Sequence, residues 1–213
     1  MRKFLVLIPA CLAAIGMLVF ASVGTADHGG AHCNGLEATI EGGASPINGT
    51  AGDDVIVGTN AGETINGLGG NDTICALDGN DTVNGGDATP LNPDGDDWID
   101  GGKGNDTVQG RLGADTVTGG QGDDVVRGNH DDDPVVDGGQ GNDDIEGGFG
   151  NDNVYGGQGN DRMQGNDGDD FLYGGPQSDH MQGDNGTDYC EGGPTRGPQT
   201  GTDSNDGSCE TLV

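Results

Sequence analysis

Gly101–Gln109 reads GGKGNDTVQ, and this nine-residue phrase decides the fold because it recurs along the chain. Close copies are GGQGDDVVR at Gly119–Arg127, GGQGNDDIE at Gly138–Glu146, GGFGNDNVY at Gly147–Tyr155 and GGQGNDRMQ at Gly156–Gln164. Each copy pairs a glycine turn with an acid at position six and an apolar residue at position eight. The apolar position falls at Ile40, Ile47, Ile56, Ile65, Ile74, Val83, Ile99, Val108, Val117, Val126, Val136, Ile145, Val154, Met163, Leu172, Met181 and Cys190. Steps are nine residues except for seven at the start, sixteen between Val83 and Ile99, and ten between Val126 and Val136. A short fixed period of this kind marks a solenoid.

The triplet x-apolar-x is long enough for one short strand, its middle side chain facing opposite to its neighbours. The six preceding residues form a turn in which glycine admits positive φ. Two units close one flattened coil of 18 residues, which predicts an all-β parallel β-roll of about seven to eight coils. Each coil buries two modest side chains, too thin a core to offset the ordering entropy unaided.

Composition points to what is missing. The chain has 37 acidic residues against seven Lys and Arg, with 47 glycines. Arg2 and Lys3 precede an apolar run over 4–23, and Gly24 and Ala26 suit cleavage after residue 26, so 1–26 reads as a secretory signal peptide. The competing reading is an uncleaved membrane anchor. Cleavage leaves five basic residues and a charge of −32. Such a chain is disordered by itself, and both nucleic acid and anionic membranes are disfavoured partners. No membrane span is expected after cleavage. A cation is the natural missing component.

The remaining sequence divides into a lead-in over 27–48, the repeats over 49–191 and a C-terminal cap over 192–213. Four cysteines remain, and an even number in an exported protein suggests disulfides, with three pairings open. Cys190 and Cys209 flank the degenerate end and are the first choice, which leaves Cys33 with Cys75.

The units resemble the RTX, or hemolysin-type calcium-binding, repeats, over about residues 49–191. The opening CNGLEATIEG at Cys33–Gly42 looks like the lead-in of secreted bacterial proteins built almost wholly of these repeats. The resemblance implies a β-roll holding multiple Ca²⁺ ions in its turns, and a secreted, extracellular or surface-associated protein. It implies carboxylate ligands at Asp54, Asp72, Asp81, Asp97, Asp106, Asp115, Asp124, Asp143, Asp152, Asp161, Asp170, Asp179 and Asp188. It implies carbonyl-bearing turn glycines at Gly102, Gly104, Gly120, Gly122, Gly139, Gly141, Gly148, Gly150, Gly157, Gly159 and Gly168. Ca²⁺ takes six to eight oxygen ligands, which suits this set. By position the family pattern pairs Asp106 with Asp124, Asp124 with Asp143, Asp143 with Asp161, and Asp152 with Asp170. Weak or absent sites are expected at three places. These are Glu63, the ten-residue unit from Gly128 with its displaced Asp133, and the Gly174 unit with Gln177 and Ser178.

Alternate units sort outward residues onto two faces. The second face collects Trp98, Tyr155, Phe171, Tyr173 and Tyr189, with Phe149 in a turn of the same series. The insertion at Ala88–Asp94 and the long Gly128 unit belong to that series too. A glycan or cell-surface partner on this aromatic face is the alternative function, that of an adhesin or carbohydrate binder. A non-enzyme is expected. The chain has no H-E-x-x-H, no G-x-S-x-G and no domain-length segment outside the repeats, so a hydrolase is least favoured.

Overall fold

The computed structural model describes residues 33–86 and 94–193, and the backbone of Ser204 and Asn205. The signal-peptide segment 1–26, Cys209 and all of the 88–94 insertion except Asp94 lie outside the described residues.

Two nine-stranded parallel sheets, A and B, alternate along the chain. Sheet A contains β1 (Ile40–Glu41), β3 (Val55–Val57), β5 (Thr73–Cys75), β7 (Trp98–Lys103), β9 (Thr116–Gln121), β11 (Val135–Gln140), β13 (Asn153–Gln158), β15 (Phe171–Gly175) and β17 (Tyr189–Gly192). Sheet B contains β2 (Ile47–Asn48), β4 (Thr64–Leu68), β6 (Thr82–Gly86), β8 (Thr107–Arg111), β10 (Val125–His130), β12 (Asp144–Phe149), β14 (Arg162–Asp167), β16 (His180–Asn185) and β18 (Ser204–Asn205). Each strand through β16 pairs with the strand two places on, as Val108 with Val126 and Val126 with Ile145, and the pairs run in register except for a shift between Tyr173 and Gly175 in the β15–β17 pair. This is a parallel β-solenoid, with 18 residues separating equivalent places in most successive coils.

The eighth-position residues form its interior. From Ile56 through Leu172 each is fully buried, and residues from both sheets form one cluster. A single inward side chain per strand suffices because its two neighbours point outward. At the lead-in, the 3₁₀ turn η1 (Cys33–Gly35) is tied to the first coils by a Cys33–Cys75 disulfide.

Central strands are six residues long rather than the expected three, running on through the first three residues of the next unit. The first-position glycines allow this. A Cβ on Gly101 would lie 2.5 Å from the Gly119 carbonyl oxygen of the next coil, so only a bare backbone continues the ladder there. The extension also moves Phe149. It ends β12 in sheet B, opposite His130 and Asp167, and not with the aromatic series of sheet A.

Candidate metal centres

The position-six acids stand in two buried columns, one beside each sheet. In each, an aspartate backbone N–H donates to Oδ1 of the aspartate one coil later. One column runs from Asp54 through Asp72, Asp97, Asp115, Asp133, Asp152 and Asp170 to Asp188, with N–O distances of 2.8–3.0 Å. The other runs from Glu63 through Asp81, Asp106, Asp124, Asp143 and Asp161 to Asp179. All four pairs expected from the repeat pattern are successive members of these columns.

The ladder uses only Oδ1. Oδ2 of Asp72, Asp81, Asp97, Asp106, Asp115, Asp124, Asp133, Asp143, Asp152, Asp161, Asp170 and Asp188 is buried with no hydrogen-bond partner. Leaving a buried polar atom unpaired costs about 1–3 kcal/mol, and more when it is charged. Burial is the main cause that raises these carboxyls above their usual 3.8, and neighbouring carboxylates add to it. The backbone hydrogen bond opposes it. Asp115 rises to about 9, Asp97 and Asp133 to about 8, Asp106 and Asp143 to about 7 and Asp124 to about 6. A cation beside Oδ2 removes both penalties.

Oxygen ligands lie close to these orphaned atoms. The point where a Cβ of Gly119 would stand is 2.7 Å from Asp124 Oδ2 and 2.7 Å from the Gly138 carbonyl oxygen. For Gly156 the corresponding distances are 2.7 Å to Asp161 Oδ2 and 2.5 Å to the Gly174 carbonyl oxygen. The second- and fourth-position glycines bring further carbonyls together. All eleven glycines expected as ligands have positive φ. At Gly122 (φ 137°) a Cβ would come within 1.8 Å of the Gly104 carbonyl oxygen, so no other residue fits without displacing that turn. Among the described residues no three or more His, Cys, Asp or Glu side chains converge as a metal site. A cation here would therefore draw on backbone carbonyls for much of its shell. Carboxylate and carbonyl oxygens are the donors Ca²⁺ prefers, and this set fits it.

Four turns stand apart in these columns. Asp133 is not displaced. It fills the sixth position of its turn, fully buried, accepting from Asp115 N–H at 2.8 Å and donating to Asp152 Oδ1 at 2.8 Å. The extra residue is Pro134, which follows the acid, so counting back from Val136 shifts the frame by one. Asp54 lacks an orphaned oxygen. Its Oδ2 accepts from Thr50 N–H at 2.7 Å and Thr50 Oγ1 at 2.8 Å. Glu63 is likewise engaged by the N–H and hydroxyl of Thr59. At Gln177 the backbone takes φ 96° in place of a glycine, and Asp179 still accepts from Asp161 N–H at 3.0 Å.

A second ladder went unread in the sequence. Position-five Asn and Asp side chains accept from the backbone of the following coil, as Asn105 Oδ1 from Asp123 N–H and Asp123 Oδ1 from Asn142 N–H. It runs opposite to the position-six ladder, so each turn is held from both sides. The Asn-Asp or Asp-Asp dipeptide in most units was its signal.

Short parallel strands wound around a core one side chain wide, with rows of carboxylates at the turns, define a calcium-binding type of β-roll. The family model of the RTX calcium-binding nonapeptide repeat matches residues 39–74, 57–88, 94–126, 110–133, 135–163 and 164–194, and the chain belongs to that family. A comparison with curated proteins finds no match.

Proposed function

We propose that this chain is a secreted protein whose roll folds as it takes up several calcium ions, and that the folded roll serves outside the cell as a structural or binding module. The observation that carries this reading is the set of buried Asp Oδ2 atoms without partners, at Asp72, Asp97, Asp115, Asp133, Asp152, Asp170 and Asp188 in one column and Asp81, Asp106, Asp124, Asp143 and Asp161 in the other. With a net charge of −30 and one inward side chain per strand, the apo chain has little to set against the cost of ordering. Metal binding to ligands assembled only in the fold becomes folding free energy. Each ion would hold one coil against the next, which suits a solenoid whose units touch only their neighbours. Affinities of ~10⁻⁴–10⁻³ M, typical of extracellular calcium modules, are sufficient there. The basic residues Arg2 and Lys3 ahead of an apolar run support export.

Circular dichroism of the protein from residue 27 onward, with calcium and then with excess EDTA, tests the reading. The expected result is a β-rich spectrum that collapses on chelation and returns when calcium is restored. An unchanged β signal after complete calcium removal would refute it.

A further inference from the structure

The outer face of sheet B carries a depression of about 370 Å³ centred on β12, at the small end of the ~300–1,000 Å³ usual for ligand cavities. Its floor is Gly148, in register with Asn129 on one side and Asn166 on the other. With φ at 133° and the Asn129 carbonyl oxygen 2.3 Å from a would-be Cβ, this floor does not accept a side chain. One wall is an aromatic plate. Phe149 stacks on His130 with ring centroids 5.0 Å apart and planes within 11°. Phe149 is 55% exposed, whereas in sheet A Phe171 is half-buried between Tyr155 and Tyr189, its ring 6.3 and 5.1 Å from theirs. The sheet A rings are largely used on one another; the Phe149 face is open.

The remaining walls are polar and of mixed character. Arg127 Nε donates to Glu146 Oε2 at 2.9 Å, which engages one oxygen of the carboxylate and one N–H of the guanidinium. The Asn166 side-chain amide makes no hydrogen bond to a described residue, and Asp167 gives one oxygen to Asn185 Nδ2 at 2.7 Å. Donors and acceptors therefore stand together beside a flat apolar plate.

We propose that this depression binds a neutral pyranose sugar, with one C–H face of the ring against Phe149 and its hydroxyls on Asn166, Asp167 and the Arg127–Glu146 pair. A pyranose has an apolar face and a rim of hydroxyls that both donate and accept, and an amide beside a carboxylate and a guanidinium answers both needs. An anion would face Glu146 and Asp167 on a chain of charge −30, and Arg127 is already paired with Glu146. A neutral polyol avoids that conflict, and only it uses the apolar plate. The site goes beyond the calcium-module reading and requires only that the roll be folded.

Saturation-transfer NMR on the calcium-loaded protein tests the proposal, with the methyl pyranosides of glucose, galactose and mannose as probes at millimolar concentration. At least one should show transfer to its ring C–H protons. Phe149→Ala should weaken binding about three- to tenfold, the worth of a ring contact. Asn166→Asp, which retains tolerance of the positive φ and removes the amide donor, should also weaken it. Tyr173→Ala on the opposite sheet should leave it unchanged. No transfer from any of the three sugars to protein that remains folded by circular dichroism would overturn the proposal. Binding lost in Tyr173→Ala and kept in Phe149→Ala would overturn it as well. Because the calcium-dependent fold is read separately in the same samples, its failure is distinguishable from failure of the sugar site.

Discussion

The first two turns of the roll and those from Gly101 to Asp170 differ in backbone and in how they satisfy their acids, since Thr50, Gly52, Thr59 and Ala61 lack the positive φ that Gly102, Gly104, Gly120 and Gly122 adopt at the same positions. At Thr50/Asp54 the threonine N–H and hydroxyl both donate to Oδ2 while Oδ1 accepts from the Thr39 hydroxyl at 3.3 Å, and at Thr59/Glu63 the N–H and hydroxyl go to different oxygens, so both carboxylate oxygens have partners inside the protein. From Asp106 onward the second position is glycine, arginine, asparagine or aspartate, and Oδ2 of Asp106, Asp124, Asp143 and Asp161 is left buried and unpaired. A threonine hydroxyl and a different turn backbone thus separate a turn that closes on its own hydrogen bonds from one with an unpaired buried oxygen. On the proposed function, calcium dependence would be concentrated from Asp72 onward, and the first coils, held also by the Cys33–Cys75 disulfide, would be the part least reliant on metal.

The largest expected difference is between acids of the two regions. Asp124→Ala removes the acceptor for Asp106 N–H and one carboxylate from two neighbouring turns. Orphaning that N–H alone costs about 1–3 kcal/mol, and calcium uptake should fall as well. Asp54→Ala strips partners mainly from Thr50 at a more exposed turn and should cost about 1 kcal/mol or less. Thermal melts in saturating calcium check the pair; equal losses would break the distinction.

Acidification should act in the opposite direction on the apo protein. Asp97, Asp115 and Asp133 are raised to about 8, 9 and 8, above their ordinary 3.8. In the window between those values the folded roll binds protons that the unfolded chain does not. Apo stability should therefore increase as pH falls from about 9 toward 4, while calcium affinity should weaken because protons compete for the same oxygens. Melting in EDTA at pH 8 and pH 5 measures this; a lower melting temperature at pH 5 would contradict it.

A smaller effect sharpens the comparison by conversion. The triple substitution Thr59→Gly, Ala61→Gly and Glu63→Asp brings the second unit closest to the central type, with glycine at its second and fourth positions and aspartate at its sixth. Its carboxylate then loses the Thr59 hydroxyl, and calorimetric titration should find one additional calcium ion. An unchanged stoichiometry would show that threonine is not what withholds a site there.

Much of this was legible in the sequence because one periodic residue does the packing. Every inward residue from Ile47 to Cys190 except Ala76 follows from the eighth position, and so does the two-sheet alternation. What escaped depended on counting from the wrong anchor or on contacts between coils. The frame is set by the turn, so Pro134 is extra after Asp133 and the acid keeps its place in the column. Strands continue through the next unit's opening glycines, which carries Phe149 to sheet B. The threonines at 50 and 59 give no signal in the linear sequence, since only the folded turn brings their hydroxyls to Asp54 and Glu63. The position-five ladder was hidden in the same way, joining residues 18 or 19 apart that a linear reading does not bring together.

Crystals grown in calcium, with anomalous scattering recorded at a long wavelength, test the central claim most directly. The account predicts calcium peaks in the turns beside Oδ2 of Asp106, Asp124, Asp133, Asp143, Asp152 and Asp161, and none at the Thr50/Asp54 and Thr59/Glu63 turns. Peaks at those two turns, with none along the central columns, would contradict it.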